Sequence, residues 1–409
     1  MQRRLRGLSG LFGVAATVAS LWWMAVPHTA VAAPRPAPSA LSDRQKTLHL
    51  LNRFAFGPRP TDLDRVMAMG RDRWFHTQLY PDQINDSTAE QRLTQLKSLH
   101  MEPVQLMAAF PQPGQLKKLE ASGIQVNNAE IMGGPRDILV ELGDQKLVLA
   151  TESEHQLQEV MADFWENHFN VNWVKGLDRY LLTDYDQNVI RPHTLGKFKD
   201  LLEAVAHSPA MMVYLDNFVS TRNPDPNAPM PAGKRKASGL NENYARELME
   251  LHTLGVGSGY TQQDVQQLAR VFTGIGVNFA RAPRLPPQLR GLYLRDVRED
   301  GFEFNPARHD FGQVTLLGHT VRGAGFDEVR NAVTLIVRQS ACARFVSREL
   351  ATYFVADDPP PQLVAAMART FQHTDGDIAA VLRTMFSSPQ FTTSLGTKFK
   401  DPMRYVVSA

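Results

Sequence analysis

Cysteine is nearly absent from this sequence of 409 residues, in which Cys342 stands alone. An intramolecular disulfide is therefore excluded, even in an oxidising compartment. The thiol has apolar neighbours at Ala341, Ala343 and Phe345, so we expect it to be buried and chemically inert. The sequence thus argues against a mechanism based on cysteine.

An excess of charge of one sign is also missing, because 44 lysines and arginines balance 42 aspartates and glutamates to a net charge of +2. A nucleic-acid-binding domain would show a strongly basic stripe, so we expect no nucleic-acid partner. Several enzyme signatures are absent as well: H-E-x-x-H, paired C-x-x-C, the Walker phosphate loop, G-x-G-x-x-G opening a helix, and G-x-S-x-G. The common zinc-protease, nucleotide-binding and serine-hydrolase patterns therefore have no support.

The N-terminus has the order of a secretory signal. Three arginines among the first six residues precede an apolar run over residues 8–26, and small residues follow up to Ala33. We predict a signal peptide at residues 1–33, a proline-rich linker at 34–41 and a single helical domain at 42–409, with no membrane span after cleavage. The alternative is an uncleaved N-terminal membrane anchor. Both interpretations place the body of the protein outside the cytoplasm, in the periplasm or the medium.

Helical signals dominate the rest of the chain. Ser42 is placed to cap a first helix, and Thr61 and Thr261 each have an aspartate three residues later, the pattern of a capping box. Apolar residues repeat at helical spacing over residues 157–168 and again over 198–205. These segments predict amphipathic helices.

Strand signals are few, and only residues 313–317 resemble a short strand. Residues 221–239 and 280–300 are rich in proline and charge and predict long exposed loops. We therefore predict a mainly α fold: a large helical domain with long proline-rich loops and at most a small β element.

The stretch NENYARELMELHTLG, residues 241–255, combines two patterns on one helix. Glu242, Arg246 and Glu250 follow at i, i+4 and i+8, which predicts a ladder of opposite charges worth a few tenths of a kcal/mol per pair. His252 projects into the middle of an apolar arc and so requires a buried polar partner. The apolar arc consists of Tyr244, Ala245, Leu248, Met249 and Leu251.

Three histidines are candidates for a metal site. His168 and His252 each lie on an apolar helix face, and His309 is followed by Asp310 in a loop. Three protein ligands that leave one position open for water are typical of a catalytic metal ion. Our first hypothesis is a metal-assisted hydrolase acting outside the cytoplasm, with a divalent transition metal such as zinc. Its metal ligands would be His168, His252, His309 and Asp310, and its general base would be Glu247 or Glu250.

Two other interpretations stay open. The chain can be a non-catalytic helical scaffold that binds a partner protein or an envelope polymer through the loop at 221–239, with His168 and His252 as core residues. It can also hold a pair of carboxylates of the kind that glycosidases use, although sequence gives no distance between them. The candidate carboxylates are Glu166, Asp216, Glu242, Glu247 and Glu250.

Five sequence blocks occur in a recognisable order: HLLNRFAFGP (49–58), FWENHFNV (164–171), RPHTLGKFKDLLEAVAHSPAMMVYLDN (191–217), NENYARELMELHTLGVGSGYTQQDVQQLARVFTG (241–274) and FNPARHDFGQVTLLG (305–318). Together they resemble the bacterial family known as domain of unknown function 1800, from about residue 41 to the end. The resemblance implies an exported, largely helical protein without an assigned activity. It also implies a partner similar to exported phosphatases or sulfatases, which are often encoded beside such proteins.

The resemblance places several polar positions inside the family blocks, and these inherit whatever role the family gives them. They are Glu166, His168, His193, Asn241, Glu242, Asn243, Arg246, Glu247, Glu250, His252, His309 and Asp310. The chain departs from the family pattern at Gln313 and Val314, where relatives tend to have a lysine two residues after the glycine. It also stops at PMRYVVSA where relatives continue, so we expect a shortened C-terminus.

Overall fold

The computed structural model describes residues 41–122, 130–223, 239–279 and 301–408, together with the backbone of 297–299. The predicted signal peptide, nearly all of the predicted linker and most of the two proline-rich loops lie outside these residues. The described residues from Ser42 onward form one compact unit.

Helices dominate the described residues, which confirms the predicted fold class. Those before the loop at 221–239 are α1 (Asp43–Phe54), α2 (Asp62–Met69), α3 (Arg71–Gln78), α4 (Ser87–Leu93), α5 (Pro103–Ala109), α6 (Pro113–Ala121), α7 (Pro135–Glu152), α8 (Gln156–His168), α9 (Asp178–Asp184), α10 (Phe198–His207) and α11 (Pro209–Tyr214). Those after it are α12 (Glu242–Glu247), α13 (Gln262–Val271), α14 (Phe326–Val337), α15 (Ser340–Phe354), α16 (Pro361–His373), α17 (Ile378–Phe386), α18 (Pro389–Thr393) and α19 (Pro402–Val407).

Wider and tighter helical turns occur beside the α-helices. Two π-helical segments, Tyr185–Ile190 and Leu248–Thr253, continue α9 and α12. Single 3-10 turns cover Pro81–Gln83, Lys97–His100, Arg191–His193 and Asn217–Val219. Single π turns within helices are rare and often mark functional sites, which makes both π-helical segments candidates for such a site.

Five short strands form two antiparallel sheets among the described residues. β1 (Ile275–Val277) and β2 (Val297–Glu299) flank β3 (Phe302–Phe304), while β4 (Val314–Leu316) pairs with β5 (His319–Val321). The strand predicted near residues 313–317 is confirmed as β4. The first sheet was missed because three residues are too few to show an alternating pattern.

Capping bonds explain where several helices begin. Ser42 and Thr261 each accept a backbone N–H from three residues on and complete a capping box, which confirms the prediction at Thr261. The capping box predicted at Thr61 is wrong, because Thr61 has a φ of 73° and its side chain makes no capping bond. Instead, the carboxylate of Asp62 accepts the backbone N–H of Arg59 at 3.1 Å.

Aromatic rings from both ends of the chain meet in the main hydrophobic core. Phe54 on α1 lies against Phe75, Phe354 and Phe391, with ring centroids 4.9, 5.0 and 5.1 Å away. Cys342 is fully buried in the same core, as its neighbours predict, and burial raises the pKa of its thiol. Among the described residues, no helix combines the length and the apolar character needed to cross a bilayer.

Candidate functional site

A cluster of charged side chains joins three helical elements. Lys146 lies on α7, Glu166 on α8 and Asp186 in the π-helical segment after α9. The Lys146 ammonium contacts the Glu166 carboxyl group. Gln145 Nε2 donates a hydrogen bond to Asp186 Oδ2 at 2.6 Å. Residues far apart in sequence are thereby brought to one place.

Arg191 binds the two most buried carboxylates of this cluster. Its Nε donates to Asp186 Oδ2 at 2.8 Å, and its Nη1 donates to Glu159 Oε2. The side chains of Glu159 and Asp186 are only 7% and 3% exposed. We call Lys146, Glu159, Glu166, Asp186 and Arg191 the charged cluster. It contains one more carboxyl group than cations, and because an unpaired buried charge is costly, one carboxyl group is expected to keep a proton.

Burial raises the pKa of Glu159 and of Glu166, and we assign the proton to Glu166 because Arg191 donates directly to the Glu159 carboxylate. Burial, the charge of Asp186 and a hydrogen bond to Asp186 raise the pKa of Glu166 to about 8, against the opposing effect of Lys146. Burial acts on Asp186 in the same direction, but Arg191, Glu166 and Gln145 outweigh it and hold the pKa of Asp186 below its ordinary value. At neutral pH the two carboxyl groups therefore share one proton, which Glu166 donates to ionised Asp186.

Glu166 lines a cavity of about 190 Å³ that opens to solvent. The other lining residues are Leu142, Lys146, Asn167, Asn170, Val171, Leu182, Tyr185 and Asp186. The Glu166 side chain is 16% exposed, so a molecule in the cavity can contact it. A carboxylic acid that stays neutral near pH 7 in an open cavity is suited to general acid or base catalysis.

A larger apolar groove of about 720 Å³ adjoins this cavity. Leu142, Lys146 and Leu182 line both spaces, so the groove and the cavity are adjacent. The apolar groove is further lined by Gln112, Pro113, Pro135, Arg136, Leu139, Val140, Gly143, Trp173 and Arg179. Apolar walls with a few polar groups at one end are typical of small-molecule sites.

The structure brings two of the predicted metal ligands together. His168 Nε2 donates a hydrogen bond to the backbone carbonyl of His252 at 3.0 Å, and the ring centroids lie 6.3 Å apart. Burial lowers the pKa of His168 to about 4. Burial, together with His168, lowers the pKa of His252 to about 3. Both rings are therefore neutral at pH 7, and His252 contributes its carbonyl group to the contact.

His309 and Asp310 have partners of their own. His309 Nδ1 donates to the Thr273 carbonyl at 2.7 Å, and its Nε2 lies 2.6 Å from Glu328 Oε1. Asp310 accepts a hydrogen bond from Arg270 Nε at 2.8 Å. A ring nitrogen that donates a proton to an oxygen cannot coordinate a metal ion at the same time. In the part of the chain that the structure describes, no group of three or more His, Cys, Asp or Glu residues could hold a metal ion.

The predicted charge ladder is confirmed on α12 and its π-helical continuation. Arg246 lies 3.8 Å from Glu242 and 3.5 Å from Glu250. The pKa of Glu247, the other predicted base, is raised by burial and by the charge of Glu250. Neither Glu247 nor Glu250 is among the residues that line the cavity at Glu166 or the apolar groove.

The predicted apolar arc of this helix is wrong at one position. Tyr244 and Leu248 are buried as expected, but Leu251 is 51% exposed. The reason is the change to π-helical turns at Leu248, where the Leu254 N–H bonds the Met249 carbonyl five residues back. Wider turns change the helical phase, so spacing based on 3.6 residues per turn no longer holds.

Sequence reasoning included Glu166 among the candidate carboxylates but missed Lys146 and Asp186. The three residues are separated by 20 positions each, since 166 − 146 = 20 and 186 − 166 = 20, and they lie on different elements. No short motif connects them. The one available signal was Asp186 itself, a carboxylate directly beside the buried Tyr185 in a helical segment.

The fold and the site together define a mainly helical protein with a proton-sharing carboxyl pair beside an apolar groove. The chain belongs to the family described as "Protein of unknown function (DUF1800)", whose model matches residues 49–409. The family resemblance predicted from the five sequence blocks is thereby confirmed. No curated protein and no solved structure is significantly similar to the chain.

Proposed function

We propose that the protein is a hydrolase that acts outside the cytoplasm and uses Glu166 as its general acid and base. One observation carries this proposal: a carboxyl group with a pKa raised to about 8 lines an open cavity, between ionised Asp186 and the ammonium of Lys146. General acid catalysis requires a protonated acid within reach of the substrate, and strongly shifted pKa values cluster at functional sites.

Each residue of the site has a separate task in this reaction. Glu166 gives its proton to the departing oxygen or nitrogen as water attacks the substrate carbon and the bond to the leaving group breaks. The attacking water then returns a proton to Glu166, so the acid is restored. Lys146 stabilises the negative charge that develops in the transition state. Asp186 is a positioning residue, because its charge keeps the proton on Glu166 between turnovers.

The metal-assisted form of this hydrolase has weaker support. His168 uses one ring nitrogen to bond the His252 carbonyl, His309 faces oxygen atoms on both sides, and Asp310 is held by Arg270. These donors do not converge on one point among the described residues. The predicted metal site remains testable by the metal content of the protein.

The scaffold alternative depends on the loop at 221–239, of which residues 224–238 lie outside the described part of the chain. No described contact favours it over the hydrolase. Action outside the cytoplasm rests on the sequence pattern of residues 1–33 and remains part of the proposal. The same holds for a partner similar to an exported phosphatase or sulfatase.

The test is a screen of p-nitrophenyl esters, aryl amides and aryl glycosides with the mature protein and three variants. We expect one substrate class to be hydrolysed, the activity to fall as the pH rises through about 8, and Glu166→Gln to abolish it. Glu90→Gln, on the exposed surface of α4, is the matched control and should keep the wild-type rate. Full activity in Glu166→Gln, or its loss in Glu247→Gln instead, would overturn the assignment of Glu166.

A further inference from the structure

The apolar groove has a definite direction, which follows from the packing of α7 against α9. Ile138 on α7 and Tyr180 on α9 belong to one buried cluster. Further along, Gln145 on α7 bonds Asp186 in the π-helical segment that continues α9. The two helices therefore run in the same direction, and residues early in each helix lie at one end of the groove.

The early end of the groove is cationic. Arg136 comes from the first turn of α7 and Arg179 from the first turn of α9, and both line the groove. Within the described residues, neither guanidinium forms an ion pair with a carboxylate. Arg179 Nε is buried without a hydrogen-bond acceptor, and its Nη2 reaches only the Val174 carbonyl at 3.4 Å. A guanidinium that lines a groove without a carboxylate partner favours binding of an anion.

The wall between the two ends is apolar and unusually exposed. Val140 and Trp173 line the groove with 53% and 49% of their surfaces exposed. Lys146 lies ten positions after Arg136 on α7, since 146 − 136 = 10, which corresponds to about 15 Å along the helix axis. An occupant that covers this wall would remove apolar surface from water over that length.

We infer that the groove binds an elongated apolar molecule with an anionic group at the Arg136 and Arg179 end, so that its opposite end reaches Lys146 and Glu166. This inference rests on the proposed hydrolase and names its substrate class: an ester or amide with a long apolar chain and a distant anionic group. The anionic group and the scissile bond are then held at the two ends of the apolar groove.

Gly143 provides a way to block the groove without disturbing the fold. It lines the groove, and a Cβ atom added there has no neighbour within 4 Å. Because glycine is about 1 kcal/mol less favourable than alanine inside a helix, a larger residue is expected to stabilise α7. Gly143→Leu projects a bulky side chain into the groove, while Gly143→Ala adds a single methyl group and is the matched control.

The experiment measures binding of laurate and of the uncharged lauryl alcohol by titration calorimetry. It uses the mature full chain with Glu166→Gln, which removes the proposed acid and leaves in place every residue that lines the groove. We expect laurate to bind at least about tenfold more tightly than lauryl alcohol, Gly143→Leu to weaken both ligands, and Gly143→Ala to leave both unchanged. Arg179→Gln should remove most of the preference for laurate, about tenfold for one charge-assisted hydrogen bond.

Three outcomes would overturn the inference: no binding of laurate, equal affinity for laurate and the alcohol, or unchanged affinity in Gly143→Leu. A preference for laurate that depends on Lys146→Met but not on Arg179→Gln would also overturn it, because the anion would then lie at the reactive end. If laurate binds as expected but the wild-type protein hydrolyses no substrate in the screen, the groove assignment is supported and only the proposed hydrolase is contradicted.

Discussion

Glu166 on α8 and Asp186 in the π-helical segment after α9 share one proton at the edge of a cavity that opens to solvent. The pKa values of the two carboxyl groups differ because their neighbours differ. Asp186 accepts hydrogen bonds from Arg191 and Gln145, whereas Glu166 has the single cation Lys146. The pair therefore separates into an acid and an ionised carboxylate, which is the usual origin of divided acid–base roles.

The raised pKa of Glu166 predicts that the stability of the protein depends on pH. Its folded pKa of about 8 lies above the ordinary value of 4.5, so its contribution to stability is fully present below about pH 4.5 and is lost as the pH rises to about 8. At 1.36 kcal/mol per pKa unit, wild type should lose on the order of 2 kcal/mol relative to Glu166→Gln between about pH 6 and about pH 8. Urea denaturation of both proteins at the two pH values measures the difference. Parallel pH curves would contradict the shared proton.

Arg191 should be far more important for stability than an exposed arginine. Arg191→Met leaves Glu159 and Asp186 buried without a cation, which typically costs about 3–5 kcal/mol. The control is Arg92→Met, since Arg92 is 62% exposed and its ion pair with Glu152 at 3.1 Å is worth at most about 1 kcal/mol. Free energies of unfolding from urea titrations of the two variants give the comparison. Similar losses of stability would show that Arg191 stabilises the protein no more than an exposed arginine does.

The sequence predicted the helices more reliably than the site. The apolar repeat over residues 157–168 is confirmed by α8, and Thr261 begins α13 as its capping box predicts, because both depend on neighbours within a few turns. The pairing of Glu166 with Asp186 depends on how α8 packs beside a π-helical segment, and no local pattern records it. The exposure of Leu251 could not be predicted from sequence for a similar reason, because a π turn alters the helical phase without a signal in the residue types.

His252 tests whether the histidines form a core contact or a metal site. With its pKa lowered to about 3 by burial and by His168, the ring is a neutral core group packed 5.0 Å from the Phe169 ring. We expect His252→Ala to lose on the order of 2 kcal/mol of stability and to keep the metal content of wild type, as measured by elemental analysis without chelator. His319→Ala, at an exposed position, is the control. Stoichiometric zinc, iron or manganese in wild type that disappears from folded His252→Ala would restore the metallohydrolase.

Gly274 occupies a position that suits only glycine. Its φ is +82°, and a Cβ atom there would lie 2.8 Å from the Asn305 carbonyl oxygen and 2.9 Å from His309 Cβ. Gly257, with a φ of +71° and no atom within 4 Å of an added Cβ, is the matched control. Gly257→Ala should cost about 1–2 kcal/mol for the left-handed backbone alone.

Gly274→Ala should lose clearly more than Gly257→Ala, because backbone atoms must also move away from the new methyl group. The Asn305 N–H bonds the Gly274 carbonyl at 2.8 Å, so this movement would separate β1 from the loop that carries His309. Thermal unfolding followed by circular dichroism compares the two variants in one buffer. Equal losses would mean that the segment from Asn305 to His309 yields easily, and that the contact between His309 and Glu328 does not depend on close approach at Gly274.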